Sequence, residues 1–382
     1  MISQITQAHK ELQQKVKEFA EKRVLPIATQ LDEGEIFSQE LTQEMGKLGL
    51  FGIVVPKEYG GLGLDYMALV LAVEELSKVD GSQAATLAAH NCLGVNPIYY
   101  YGTPEQRKAL LPQLCSGEKV WAFGLTETNA GSDALGAETT AQLVNGQWVI
   151  NGEKIYISNA TNPMSAGITL LAQTGKKGEK PELSAILVPR ETGYKTERIL
   201  NKLMWRASDT GKIAFSNISV SETNILGTRG KGAKLMLETL DAGRLSIAAM
   251  GLGLAEGAYN EALNYANARH QFGKPIASFQ AISFKLAEMA TQIEAARHLL
   301  YHAVWLKDSN QPFSKEAAMA KLFCSEVATF VATEASQIHG ATGLIKGSLV
   351  ERHFRDQRIL HVGEGTSEIL KLVIARQIGC AR

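Results

Sequence analysis

Cysteine is scarce. Only Cys92, Cys115, Cys324 and Cys380 occur in 382 residues, and no two form a Cys-x-x-Cys pair. That excludes a disulfide framework and a cysteine zinc site, and it fits a reducing compartment. An excess of charge of one sign is also missing. Lysine plus arginine and aspartate plus glutamate both number 39, so no net field draws the whole surface to nucleic acid or an anionic membrane. No run approaches the ~18 apolar residues of a membrane span, and residues 1–10 are too polar for a signal core. A cytoplasmic protein without a membrane span or a nucleic-acid partner is expected. What is present is ordinary globular material, 45% apolar and 20% charged, enough for a large core shared by two or three domains.

The hydrophobic period divides the chain in three. Leu12, Val16, Phe19 and Ala20 make one helical stripe, interrupted at Pro26. Further stripes cover residues 66–79 and 84–101, and Gly102-Thr103-Pro104-Glu105 has the composition of a helix start. Near Trp121 the period shortens. Residues 139–144, 147–150, 154–157, 168–173, 183–188 and 212–215 are strand-like, with hairpin signals at Asn145-Gly146 and Asn151-Gly152. Long helical patterns return after Gly232, over 234–269, 279–307, 314–339 and 366–377. The expected class is α+β: an N-terminal all-α domain (1–120), an antiparallel, barrel-like β domain (121–232) and a C-terminal helical bundle (233–382).

One stretch carries the clearest chemistry. From Arg355-Asp356 the chain runs through Ile359, Leu360 and His361 to Gly363-Glu364-Gly365-Thr366-Ser367-Glu368-Ile369, with a carboxylate between two glycines. Glycine on each side removes the β-carbons that would hold a ligand away. Thr366 or Ser367 is placed to cap the helix that follows, whose apolar positions are Ile369, Leu370, Val373 and Ile374. Glu364 then stands at a helix mouth beside free backbone N–H groups, where a base and an acyl-oxygen site can coexist. A surface glutamate in a flexible turn has the same local sequence.

With its arginine-aspartate lead-in, Glu364-Gly365-Thr366-Ser367-Glu368-Ile369 resembles the C-terminal signature of the acyl-CoA dehydrogenases. In that family the glutamate takes the α-proton of an acyl-CoA while FAD takes a hydride from the β-carbon. The order helix, sheet, helix is similar to the family's layout over essentially the whole chain, and the resemblance makes the last part a four-helix bundle. It implies dehydrogenation of an acyl-CoA to a trans-2-enoyl-CoA, with Glu364 as catalytic base and Gly365 in the substrate site. It also implies an electron-transferring flavoprotein as electron acceptor, and a homotetramer or homodimer whose subunits share each FAD site.

Other segments extend the resemblance. Residues 123–133 form a small-residue loop with hydroxyls and backbone donors suited to a polar ring or phosphate. The loop resembles the family's first signature, with Thr128 in place of the usual proline. That implies FAD contacts for Phe123, Leu125, Thr126 and Ser132, and a further contact of Ser132 with the CoA ester. Lys154-Ile155-Tyr156-Ile157-Ser158 resembles the strand over the flavin, which implies cofactor contacts for Tyr156, where tryptophan is usual, and Ser158. Asp241 and Arg244, three apart on a helix, have by themselves the spacing of a surface ion pair; in the family this pair contacts substrate. Relatives acting on isovaleryl or long-chain substrates keep their base where this chain has Gly243. Arg269, Phe272 and Gln280, then Gln337 and Gly340, match positions that reach the FAD of a neighbouring subunit, although Ala341 and Leu344 depart from the pattern. Thr366 and Glu368 match positions on the ribose and phosphate side of FAD.

Gly363 stands where the family commonly has a tyrosine beside the acyl chain, so a bulky, branched or cyclic acyl group is expected. An enoyl-CoA reductase, an acyl-CoA oxidase and a non-catalytic binding protein of the same fold are the alternatives. Glu294, His298 and His302 share a helix face, but no further ligand motif accompanies them and no metal site is expected. Gly251, Gly253 and Gly257 lie inside an apolar helical pattern and point to close helix packing.

Overall fold

The computed structural model describes residues 5–178 and 180–380. Its N-terminal part holds α1 (Gln7–Phe19), α2 (Leu25–Glu33), α3 (Gln39–Lys47), α4 (Tyr66–Ser77), α5 (Gly81–Ala89), α6 (Asn96–Tyr101) and α7 (Pro104–Cys115). Thr6 opens α1 and Thr103 opens α7, each with a capping box, the second completed by Gln106. The interruption expected at Pro26 is a π-helical turn, Ala20–Val24. Pro26 follows it in the first turn of α2, where its missing N–H leaves no helical bond unmade.

Strands β1 (Val120–Gly124), β2 (Thr140–Val144), β3 (Gln147–Ser158), β4 (Ser165–Lys177), β5 (Lys180–Pro189), β6 (Lys195–Arg198), β7 (Thr210–Ser221) and β8 (Ile225–Leu226) form one sheet. Their order is β6-β7-β3-β2-β4-β5-β8, with β1 beside β4. Pairing is mainly antiparallel, but β1 runs parallel to β4, and β2 meets β4 in parallel at Thr140 and Gln173. Asn145 and Gly146, at φ +49° and +77°, turn β2 into β3 as expected. Asn151-Gly152 does not turn the chain, which corrects the hairpin expected there. β3 runs through it and stays paired with β7 on both sides. Gly152, at φ +140°, is a bulge where a Cβ would come 2.6 Å from Thr139 Oγ1, and Asn151 bonds across to Asn217.

The C-terminal part contains α8 (Gly232–Ala268), a small hairpin of β9 (His270–Gln271) and β10 (Lys274–Pro275), α9 (Gln280–Asp308), α10 (Ser314–His339), α11 (Leu349–Asp356) and α12 (Ser367–Gln377). Helices α8, α9 and α10 pack on one another and α12 packs on α10, which makes the four-helix bundle. At Gly251, Gly253 and Gly257 the missing β-carbons let α8 approach the backbone of Cys324, Glu74 and Lys78. The two helical parts are not separate bodies. A single apolar core runs from Val16 and Leu71 through Leu245 and Leu252 to Val304 and Ala328. A second cluster, with Trp121, Leu187 and Met236, fastens the sheet to the helices.

Candidate active site

Glu364 hangs between two anchored pieces of chain. Before it, Asp356 of α11 is buried and accepts from the Trp205 backbone N–H at 2.8 Å, while Arg355 donates to Asp32 at 2.6 Å. Burial, with Asp80 nearby, pushes the Asp356 carboxyl up to about 7. After it, Thr366 is the residue that caps α12, its Oγ1 accepting from the Ile369 N–H at 3.3 Å. In between, Glu364 has φ +54° and Gly365 φ +101°. A glutamate in the left-handed region costs about 1–3 kcal/mol and persists only where its surroundings over-determine it. Gly365 needs its freedom. Gly363 does not: its φ lies outside the left-handed region, and a Cβ there would meet Ile359 only at 3.6 Å.

The carboxylate turns toward α8. A Cβ on Gly243 would fall on Glu364 Oε2 and lie 3.4 Å from Leu93, so the glycine is the room in which the carboxylate sits. The residue is partly exposed, yet its Oε2 is buried with no hydrogen-bond partner. Burial pushes this carboxyl up to about 7, while the charges of Lys321 and Arg244 restrain the rise. Arg244 is only 5% exposed, and it pairs with Asp241, whose side chain is 24% exposed. Burial raises the Asp241 carboxyl as well. The guanidinium also lies close to the turn, its Nη2 3.9 Å from where a Gly365 Cβ would be, and its Nε is buried without a partner.

Lys321 was not singled out from the sequence. It is fully buried on α10, and its Nζ donates to the Gly365 carbonyl at 2.6 Å. The signal was there: Ala317, Lys321, Cys324, Ala328 and Val331 keep helical spacing, and Lys321 is the charge in an otherwise apolar stripe.

A second group gathers on the sheet. Phe123 and Leu125 are buried at the end of β1, and the Thr126 carbonyl accepts from the Ile155 N–H at 3.0 Å. Glu127 and Lys154, 4% and 0% exposed, pair at 2.6 Å and lock the loop after β1 onto β3. Beside them Tyr156 occupies a bulge of β3 at φ +61° and is 66% exposed, Ser158 is partly exposed, and Ser132 is exposed. Lys154→Met is expected to cost about 3 kcal/mol, because it leaves a buried carboxylate without its cation, held by the Glu138 and Thr139 N–H groups. Urea unfolding measures this; an unchanged midpoint would mean that the pair does not hold the loop.

The third group lies apart. Arg269, Gln280, Gln337 and Gly340 are exposed, Phe272 stands 93% exposed at the hairpin tip, and Leu344 and Ile345 are 72% and 63% exposed. No described hydrogen bond or ring contact joins these residues to Glu364. Glu368 is exposed beside the cap. Outward-turned rings at Tyr156 and Phe272 fit a planar cofactor that covers them, and the orphaned Oε2 of Glu364 fits a partner that is a C–H bond.

Family models cover nearly the whole chain: acyl-CoA dehydrogenase N-terminal domain over residues 6–118, middle domain over 122–218 and C-terminal domain over 230–379. A probable acyl-CoA dehydrogenase of Bacillus subtilis is 46% identical over 98% of this chain and 99% of its own length. The chain belongs to the acyl-CoA dehydrogenase family. The human mitochondrial short-chain specific acyl-CoA dehydrogenase is 42% identical over 97% of this chain and 90% of that protein. Among solved structures, butyryl-CoA dehydrogenase from Megasphaera elsdenii superimposes with a TM-score of 0.95 at 38% identity, over 99% of this chain and 100% of that one. A chain in the structure described as the electron transferring flavoprotein of Acidaminococcus fermentans gives 0.96 at 40%, over the whole of both chains. This acyl-CoA dehydrogenase is therefore an FAD-dependent oxidoreductase that dehydrogenates acyl-CoA thioesters, with the three-part fold expected from its sequence. No helix among the described residues is long and apolar enough to cross a membrane.

Proposed function

We propose that the enzyme converts an acyl-CoA to the trans-2-enoyl-CoA, with Glu364 as the base that removes the α-proton. The observation that carries this is the buried, partnerless Oε2 of Glu364 in the space left by Gly243. A carboxylate in water is too weak a base for an α-C–H. Desolvation strengthens it, and a carboxyl near 7 is well matched to general-base work at neutral pH. The backbone N–H of Glu364, held in the same turn, is the donor for the thioester oxygen as negative charge develops there. Arg244 and Asp241 orient the substrate, with Gly365 and Ser132 on its path.

Phe123, Leu125, Thr126, Ser132, Tyr156 and Ser158 would hold FAD from one subunit. Arg269, Phe272, Gln280, Gln337 and Gly340 would complete the site from a neighbour, which accounts for their exposure and supports a homotetramer or homodimer. Thr366 and Glu368 lie toward its ribose and phosphate. When bound, FAD supplies the acceptor for the β-hydrogen, taken as hydride. We infer that electrons then pass to an electron-transferring flavoprotein in the cytoplasm, in keeping with the description of one matched structure.

The acyl group is short, as in the names of the short-chain and butyryl relatives. It is also bulky, branched or cyclic near its reacting carbons, because Gly363 adds no side chain beside the base. The test is the absorbance of the purified holoenzyme under anaerobic addition of butyryl-, octanoyl- and cyclohexanecarboxyl-CoA. Bleaching by the short or the cyclic thioester is expected, fastest with the cyclic one. Fastest bleaching by octanoyl-CoA would overturn the substrate assignment, and bleaching by no thioester would overturn the direction.

A further inference from the structure

We propose that Lys321 is a positioning residue of this active site: its buried ammonium clamps the Glu364–Gly365 turn and supplies the positive charge that faces the base. The inference rests on Glu364 being the base. An ammonium taken wholly out of water is costly unless it is paired. Yet no ion pair within 4.0 Å involves Lys321 among the described residues, and its described hydrogen bond goes to the Gly365 carbonyl. Packing alone does not call for a lysine here, since its neighbours along the stripe are Ala317, Cys324 and Ala328.

The clamp acts at the glycine that follows the base. Gly365, at φ +101°, joins the base to the Thr366 cap, and a donor on its carbonyl fixes the peptide that follows. The carboxylate is thereby kept from swinging out of the space beside Gly243. Of the two cations that act on the Glu364 carboxyl, Lys321 is the one with no ion pair to another carboxylate among the described residues. From α8, Arg244 faces the same carboxylate, but Asp241 already pairs with it. From the C-terminal segment, His361 is held between Thr329 and Ser367, and burial, Arg358 and Lys321 lower its pKa against the opposing pull of Glu326. Glu364 is the remaining partner. Lys321 does more than Arg244 to restrain the rise of the Glu364 carboxyl, and its own ammonium, drawn down to about 8 by burial against the pull of Glu364, remains charged at neutral pH.

The experiment follows flavin reduction in the holoenzyme by butyryl-CoA in anaerobic stopped flow from about pH 6 to 9, for wild type, Lys321→Gln and Lys321→Arg. Removing the charge raises the pKa of the base, so the acid limb of Lys321→Gln moves up by about one pH unit or more. Reduction then slows about fivefold or more at pH 7 and recovers at high pH, with FAD content unchanged. Lys321→Arg keeps the wild-type limb. An unmoved limb in Lys321→Gln, or an equal loss at every pH, would overturn the proposal, and so would an upward shift in Lys321→Arg. Glu364→Gln separates the two claims: if that variant is inactive and the Lys321→Gln limb stays put, only the role of Lys321 falls.

Discussion

Glu364→Gln is expected to retain FAD and lose turnover by at least 10²–10⁴-fold, about the contribution of a well-placed general base. The amide keeps the shape of the side chain and removes its basicity. In the wild type, kcat/KM should rise with pH through a limb near 7, because only the ionised carboxylate takes the proton. Stability moves the other way. The folded-state carboxyl titrates above the 4.5 of an ordinary glutamate, so between 4.5 and about 7 the folded protein binds more protons than the unfolded one. Stability therefore falls as pH rises through that window, and above about pH 7 the glutamine variant should be no less stable than the wild type. Anaerobic reduction by butyryl-CoA together with urea unfolding on either side of the limb measures both. An active Glu364→Gln enzyme would sink the assignment of the base. A variant that is inactive because it unfolds would show as lost FAD and a lower urea midpoint.

Gly243→Ala should produce the complementary pattern, a damaged site in an intact fold. The new methyl falls on Glu364 Oε2, and the cheapest relief is for the carboxylate to move, since it ends a flexible side chain. A displacement of about 1 Å from the reacting position costs on the order of 10²-fold in rate. Within α8 itself, alanine gains about 1 kcal/mol of helix propensity over glycine. The expected outcome is a drop in kcat of roughly 10²-fold with thermal stability unchanged or higher. Unaltered kcat would mean that the carboxylate does not work from the space beside Gly243.

Much of this enzyme is legible along the chain. The three-part order follows from hydrophobic period, and the Asn145-Gly146 turn and the Thr103 cap follow from local chemistry. Glu364 is conspicuous because a carboxylate between glycines before a helix is an unusual local pattern. What the local sequence does not show shares one cause. Asn151-Gly152 has the composition of a hairpin, but whether the chain turns depends on β7, which pairs across the bulge and lies some sixty residues on. Asp241 and Arg244 have the spacing of a surface pair, and only the packing of α8 into the bundle buries Arg244. Lys321 breaks an apolar stripe, but without its partner strand of chain that break has no meaning. The sequence by itself therefore determined the family and the order of elements and marked Glu364 as the candidate base, because these reside in neighbouring residues and their spacing. Only the tertiary structure set the Glu364 carboxyl in the space beside Gly243, where burial raises its pKa, and brought the buried Lys321 onto the Gly365 carbonyl. Desolvation and Coulomb interaction depend on distance in space, and the groups that set them, Gly243 and Lys321, are far from Glu364 along the chain.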